Sequence, residues 1–187
     1  MKRLLLCSGV LLAATSLFAQ MSMPPAPKAP PKSPAAKAEA KIAGATITID
    51  YSSPRVRGRE GKIFTKDGLI GHDPTYPVWR AGANAATTLT TDADVKIGSL
   101  LVPKGTYTIY VDLTDPAAWV LVVNKETKQW GTVYDKTQDL GRVPMKMDKT
   151  KALVEELAYT LTAKGKGGHL TLAWENVTAS VPVTAAN

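Results

Sequence analysis

One cysteine and two histidines stand among the 187 residues, and that scarcity removes several chemistries at the outset. The cysteine, Cys7, lies inside an apolar run near the amino terminus. Beyond that run the chain has no thiol, so no disulfide forms and stability must come from burial. Zinc requires three or four N, S or O ligands converging on one point, which two isolated histidines without cysteine do not supply. Nucleophilic catalysis of the serine type requires a base within hydrogen-bond reach. His72 sits in the turn sequence Gly71-His72-Asp73-Pro74 and His169 opens a strand beside glycines, so both read as solvated. No metal and no cofactor is expected. After the leader there is also no apolar run of the roughly 20 residues needed to span a bilayer.

What is present begins with that leader. Lys2 and Arg3 precede an apolar stretch from Leu4 to Phe18 that ends at Ala19 before Gln20, the pattern of a secretory signal peptide over residues 1–19. Only three leucines separate Cys7 from the charges, whereas a lipoprotein acceptor cysteine follows a complete apolar region. The protein is therefore expected to be exported, to the periplasm or beyond it. Residues 20–40 are mainly Pro, Ala and Lys and read as a disordered linker, a polyproline spacer reaching at most about 3.1 Å per residue. Lys2 and Arg3, then Lys28, Lys32 and Lys37 against Glu39, carry much of the formal net charge of +7 and leave only about +3 on the remainder. That balance reads as a solvated surface and does not call for nucleic acid as a partner.

Residues 41–187 suit one domain, long enough to bury roughly two-thirds of the surface of the unfolded chain. Alternation is its dominant signal. Ala45, Ile47, Ile49 and Tyr51 share one parity against Thr46, Thr48 and Asp50, as a half-buried strand requires. Tyr107, Ile109, Val111 and Leu113 repeat the pattern, as do Leu157, Tyr159 and Leu161, then Leu170, Leu172 and Trp174, then Ala179, Val181 and Val183. Trp119 to Val123 is apolar throughout and predicts a strand covered on both faces. Pro103-Lys104-Gly105, Asp115-Pro116 and Gly165-Lys166-Gly167-Gly168 supply the turns between. The fold class is all-β, a single antiparallel β-sandwich of jelly-roll or Ig-like type with little helix. Lys149 to Glu156 is compatible with a turn or two of amphipathic helix or with the start of a strand. Ser52 to Pro77 is the longest irregular stretch, and long ordered loops are often functional.

The stretch Val78-Trp79-Arg80-Ala81-Gly82-Ala83-Asn84 sets an aromatic, a bidentate cation and an amide beside residues small enough to admit a close backbone or ligand. Candidate ligand-binding residues are Trp79, Arg80, Asn84, Trp130, Glu175 and Asn176, and Tyr134 and Trp174 are further aromatic platforms. Trp174 shares parity with Leu170 and Leu172, which favours core packing, whereas Trp130 precedes a glycine and reads as the exposed aromatic. Arg80 has two readings, a ligand contact or a buried structural cation paired with Glu175 or Asp50. Arg55, Arg57 and Arg59 alternate, so extended backbone would place them in one basic stripe beside the Trp79 block. Asn176 reads as a hairpin-turn residue. Paired carboxylates could hydrolyse glycosides without histidine, with Glu175 and Asp50 or Asp112 as the acids, but no catalytic constellation stands out.

Several of these elements together resemble the bacterial domain of unknown function 2911 family: Tyr51-Ser52-Ser53-Pro54, Lys62-Ile63-Phe64, the Trp79 to Asn84 block, Val102-Pro103-Lys104-Gly105-Thr106-Tyr107, Gln129-Trp130-Gly131 and Trp174-Glu175-Asn176. The resemblance implies a secreted β-sandwich-like domain without an assigned activity. The chain departs from the family pattern by inserting Glu60-Gly61 after Arg59. Together these features describe a non-enzymatic binding or envelope-associated module whose partner is a glycan or cell-envelope polymer, with a carbohydrate-active hydrolase as the alternative. Exported material should begin at Gln20. Intact mass or amino-terminal sequencing checks this, and a lipid-modified Cys7 or a retained Met1 would refute it.

Overall fold

The computed structural model describes residues 31–186. The strands are β1 (Ala35–Ile42), β2 (Ala45–Ser52), β3 (Val78–Trp79), β4 (Thr87–Thr91), β5 (Val95–Ile97), β6 (Leu100–Val102), β7 (Gly105–Asp112), β8 (Val120–Asn124), β9 (Asp139–Pro144), β10 (Lys146–Lys164) and β11 (Gly167–Ala185). They form two antiparallel sheets, one ordered β1-β2-β4-β7-β8-β9 with β3 also on β7, the other β10-β11-β5-β6. Among the described residues the only helical element is one 3-10 turn at Lys136–Gln138. The chain is an all-β sandwich, as its alternation predicts.

The core lies between the sheets because the buried parity of each strand faces inward. Ile47 and Ile49 of β2, Leu89 of β4, Ile109 and Val111 of β7, and Leu121 and Val123 of β8 meet Leu170, Leu172, Val181 and Val183 of β11. β8 is covered on both faces, as its unbroken apolar run predicts. Its outward Val122 packs with Val78, Tyr110 and Tyr134 under the connection from β8 to β9.

Two expectations are corrected. The domain starts earlier than Lys41, since Ala35 to Ala40 belong to β1 and pair with β2 along its whole length. Alanines alternate there with Lys37, Glu39 and Lys41, a period of two whose inward side is small enough to lie at a sheet edge. The signal peptide, Cys7 and residues 20–30 lie outside the described residues. Of the two readings of Lys149 to Glu156 the strand holds, but the late strands read separately from the sequence join into β10 and β11, of 19 residues each.

A strand of that length cannot stay straight over a small core. The register of β10 and β11 slips twice: the step from Lys149 to Val154 faces only that from Val177 to Glu175, and the step from Val154 to Ala158 faces Glu175 to Ala173. The extra residues bulge on β10 and bend the ribbon. β11 turns at Glu175, which has a φ of 56°. Its two ends then meet, for a β-carbon on Gly167 would lie 2.7 Å from the Val183 carbonyl oxygen, whereas the sixteen-residue step from one to the other would span about 50 Å if straight.

The connection after β8 is held on the outer face of the first sheet by a polar network. The Arg142 guanidinium donates to Asp112 at 2.7 Å, to Asp139 at 3.0 Å and to the Tyr134 hydroxyl at 2.5 Å, while Tyr134 donates to Asp139 at 2.8 Å. Burial raises the Asp112 carboxyl, but the Thr114 hydroxyl and N–H and the Arg142 charge outweigh it and hold the group below the ordinary carboxylate value. Because the folded carboxyl binds its proton more weakly than the unfolded one, this stability is present above the unfolded pKa of about 3.9 and disappears as pH falls through the lower folded value. Asp112→Asn should therefore lower the melting temperature near pH 6 and show a shrinking difference from wild type toward pH 3 and below. A difference that stays constant across that range would refute the linkage.

Candidate functional site

β3 and β4 are two halves of one interrupted strand. Both lie on the same side of β7, with Trp79 opposite Val111 and Thr87 opposite Ile109, so an eight-residue step on one chain faces a two-residue step on the other. The surplus, residues 80–86, loops out of the sheet as a blister containing most of the Trp79-to-Asn84 block. Ala81 and Asn84 take positive φ values of 50° and 59°, conformations that cost non-glycine residues energy and persist only when surroundings enforce them. Here the enforcement is visible. The Ala81 carbonyl accepts from the Tyr159 hydroxyl at 2.9 Å and from Thr87 Oγ1 at 3.3 Å. Ala83 N–H donates to the Ser52 carbonyl at 3.1 Å. Gly82 is required by a close approach, since a β-carbon there would sit 2.6 Å from Thr87 Oγ1. Burial pushes the Tyr159 phenol well above its ordinary pKa, so it stays a donor.

Arg80 leaves the blister as a structural cation. Its Nη2 pairs with Asp73 at 2.9 Å, the two side chains being 19% and 6% exposed, and its Nη1 donates to the Asn84 carbonyl at 3.1 Å. Gly131 packs on its stem, where a β-carbon would come within 2.3 Å of Cδ. The partner is thus neither Glu175 nor Asp50. Glu175 is buried at the β11 bend, where its carboxylate accepts the Gly61 N–H, and Asp50 is on the exposed face of β2 beside Lys37. Among the described residues the buried Arg80 Nε has no hydrogen-bond partner.

Asp73 arrives on the long connection from Ser52 to Pro77, which is ordered by its own hydrogen bonds. Leu69 N–H donates to Lys62 and Ile70 N–H to Ile63, so Ile63 and Ile70 turn inward and Phe64 enters an aromatic cluster. Phe64 lies 5.8 Å from Trp79, 4.7 Å from Trp119 and 5.7 Å from Trp174, and the last stacks on Trp79 at 5.8 Å. Each such pair adds about 0.5–1.5 kcal/mol beyond area burial. Trp79 and Trp174 are each 2% exposed, so they form a floor and present no stacking face.

The arginine segment is seated by the β10 bulge. Val56 N–H donates to the Glu155 carbonyl and Leu157 N–H to that of Pro54, both near 2.8–2.9 Å, and Arg57 N–H donates to the Glu155 carboxylate at 3.0 Å. Arg57 has a φ of 53°, so the backbone is not extended and the predicted single stripe does not form. The three side chains nevertheless converge, because the turn replaces alternation. Arg55, Arg57 and Arg59, with Lys32, line a cleft of roughly 310 Å³. Arg80, Gly82 and Ala83 line it too, as do Trp79 and Trp174. The expected neighbourhood of the arginine segment and the Trp79 block is present, though reached by another backbone route.

The remaining candidates scatter. Trp130 is 56% exposed and bridges to Ala85, outside the cleft. The Asn84 amide donates to the Ser33 carbonyl at 3.4 Å. Asn176 is exposed within β11 and not in a hairpin turn, because β11 continues through the bend. Tyr134 belongs to the Arg142 network. The three acids suggested for hydrolysis lie apart: Glu175 is buried at the bend, Asp50 is exposed on β2, and Asp112 is held by Arg142. Sequence reasoning missed Asp73 and Lys32 at the cleft, and Glu155 and Glu156 as partners of Arg57 and Arg55. Asp73 stood in a turn sequence inspected for its histidine.

Removing one member of a buried pair costs roughly 3–5 kcal/mol, the low end applying to a partly exposed Arg80. Arg80→Ala and Asp73→Asn should each lower the melting temperature by about 6–12 °C. The double variant should lose less than the sum, a coupling read by a double-mutant cycle. Wild-type melting in Arg80→Ala would mean that the pair contributes nothing.

The family described as a protein of unknown function, DUF2911, matches residues 33–183. No curated protein and no solved structure matches the chain. The matched span takes in every strand except the last two residues of β11, and on that span the chain belongs to the DUF2911 family.

Proposed function

We propose that the protein is a non-enzymatic binding module, exported on its amino-terminal leader, whose arginine cleft takes anionic groups of a glycan or cell-envelope polymer. One observation carries the reading: four arginines and Lys32 line a single cleft whose only carboxylate among the described residues is Asp73, already paired with Arg80. Like charges crowded into one concavity repel in the free protein, and field focusing in a cleft raises the local concentration of anions. The hydrolase alternative gains no support from acids that do not converge. Envelope association follows from the leader and the preference for polyanions, and needs no membrane span. Among the described residues no helix is long and apolar enough to cross a membrane.

Binding to an immobilised anionic polymer, tested with polygalacturonate and with dextran sulfate, should be measurable at low salt and fall steeply between about 50 and 300 mM NaCl, as exposed charges are screened within about 8 Å at physiological ionic strength. Charge reversal at Arg55, Arg57 and Arg59 should abolish it. No binding at low salt, or binding indifferent to salt, would refute the proposal.

A further inference from the structure

The cleft cations are not equivalent. Arg80 is neutralised by Asp73 at 2.9 Å and Arg55 by Glu156 at 2.5 Å. Arg57 and Arg59 are instead positioned by backbone carbonyls: Arg57 Nη2 donates to Lys32 at 3.1 Å, and Arg59 donates through Nε to Val56 at 2.9 Å and through Nη2 to Arg55 at 2.7 Å. A carbonyl fixes a guanidinium without cancelling its charge. Among the described residues neither arginine meets a carboxylate within salt-bridge distance, and residues 1–30 contain no acidic side chain. The nearest carboxylate to Arg57, that of Glu155, is engaged by the Arg57 backbone N–H, so both guanidinium groups are oriented without an ion-pair partner among the described residues, each with fork donors to spare.

The lining also says what those donors want. Its one carboxylate is taken by Arg80 and by Thr75, whose N–H and hydroxyl donate to the other Asp73 oxygen at 3.4 and 3.1 Å. Sugar hydroxyls need acceptors as well as donors, and sugar rings need an exposed aromatic face. The one side-chain carboxylate of the lining is already engaged, and its tryptophans are buried. A ligand made of acceptors alone fits, and it must spread over two guanidinium forks. A carboxylate has two oxygens and one charge. A phosphoryl group has three or four oxygens and, as a monoester near neutral pH, about −1.5 to −2 charges, and arginine forks recognise it bidentately.

We propose that Arg57 and Arg59 form a phosphoryl-binding site, beside Arg80 and Arg55, which are held in ion pairs. This rests on the anion-cleft reading above and narrows its ligand to phosphate-bearing molecules. The test is calorimetric titration of the folded protein with three probes: inorganic phosphate, a dextran bearing phosphate monoesters and polygalacturonate matched in charge. The phosphate-monoester polymer should bind at least tenfold more tightly per charge than polygalacturonate. Displacement of it by millimolar inorganic phosphate would support the site with a free or terminal phosphate as its natural source, and binding of the polymer without such displacement would support it with phosphate monoesters carried on a polymer chain. Arg57→Gln with Arg59→Gln should lose at least tenfold in affinity, whereas the charge-matched control Lys164→Gln with Lys166→Gln should lose less than twofold. Arg59→Lys, which keeps the charge but not the fork, should lose affinity too, and it remains informative if the double variant melts early. Equal or tighter binding of polygalacturonate, or an unaffected Arg57/Arg59 double variant, would overturn the phosphoryl assignment and leave the anion cleft standing. Failure of all three probes with wild type would remove both.

Discussion

Arg80 is the point at which three otherwise independent connections are tied. Its guanidinium holds Asp73 on the connection from Ser52 to Pro77 and the Asn84 carbonyl on the blister, and its stem lies under Gly131 on the connection after β8. An exposed pair such as Lys37 with Asp50, both side chains more than half exposed, is worth about 0–1 kcal/mol. The Arg80 pair differs because neither group has enough water to fall back on. A buried ion pair is often no more stabilising than an apolar substitute. What it supplies here is position, fixing the blister beside Trp79 against the connection from Ser52 to Pro77.

The blister and the bend solve the same geometrical difficulty in different ways. β7 demands a continuous neighbour, and the chain provides one in two pieces with the surplus thrown outward. β11 must line both sides of a small core, and it does so by turning at Glu175, whose carboxylate then anchors Gly61 in the connection that carries the cleft's cations. Both irregularities place non-glycine residues at positive φ, and both are adjacent to the cleft. Strain of this kind, about 1–3 kcal/mol per residue, is held by packing from Tyr159, Thr87 and Thr150.

The strands were readable because a period of two is a local property, carried by neighbours such as Ile47, Thr48 and Ile49. The core role of Trp174 was readable for the same reason, and the exposure of Trp130 from the glycine that follows it. Partners across the fold were not. Nothing local distinguishes Asp73 from Asp50 as the acid for Arg80, because the choice is made by a connection folding back from β2. The alternation of Arg55, Arg57 and Arg59 suggested extended backbone, yet the left-handed turn at Arg57 is imposed by Glu155, about a hundred residues away. β1 was hidden by composition, since alanine and lysine suit a spacer as well as a sheet edge, and only its pairing with β2 separates the two.

The seating of the arginine segment by β10 has a kinetic side. Arg57 and Glu155 are 98 positions apart, and Gly61 and Glu175 are 114 apart. Contacts of that sequence separation are slow to form because loop closure must precede any gain from them. The half of the chain that holds the cleft's cations is therefore incomplete until the last ribbon docks. Cleft and global fold form one cooperative unit, and a ligand that binds only the finished cleft would draw on the stability of the entire domain.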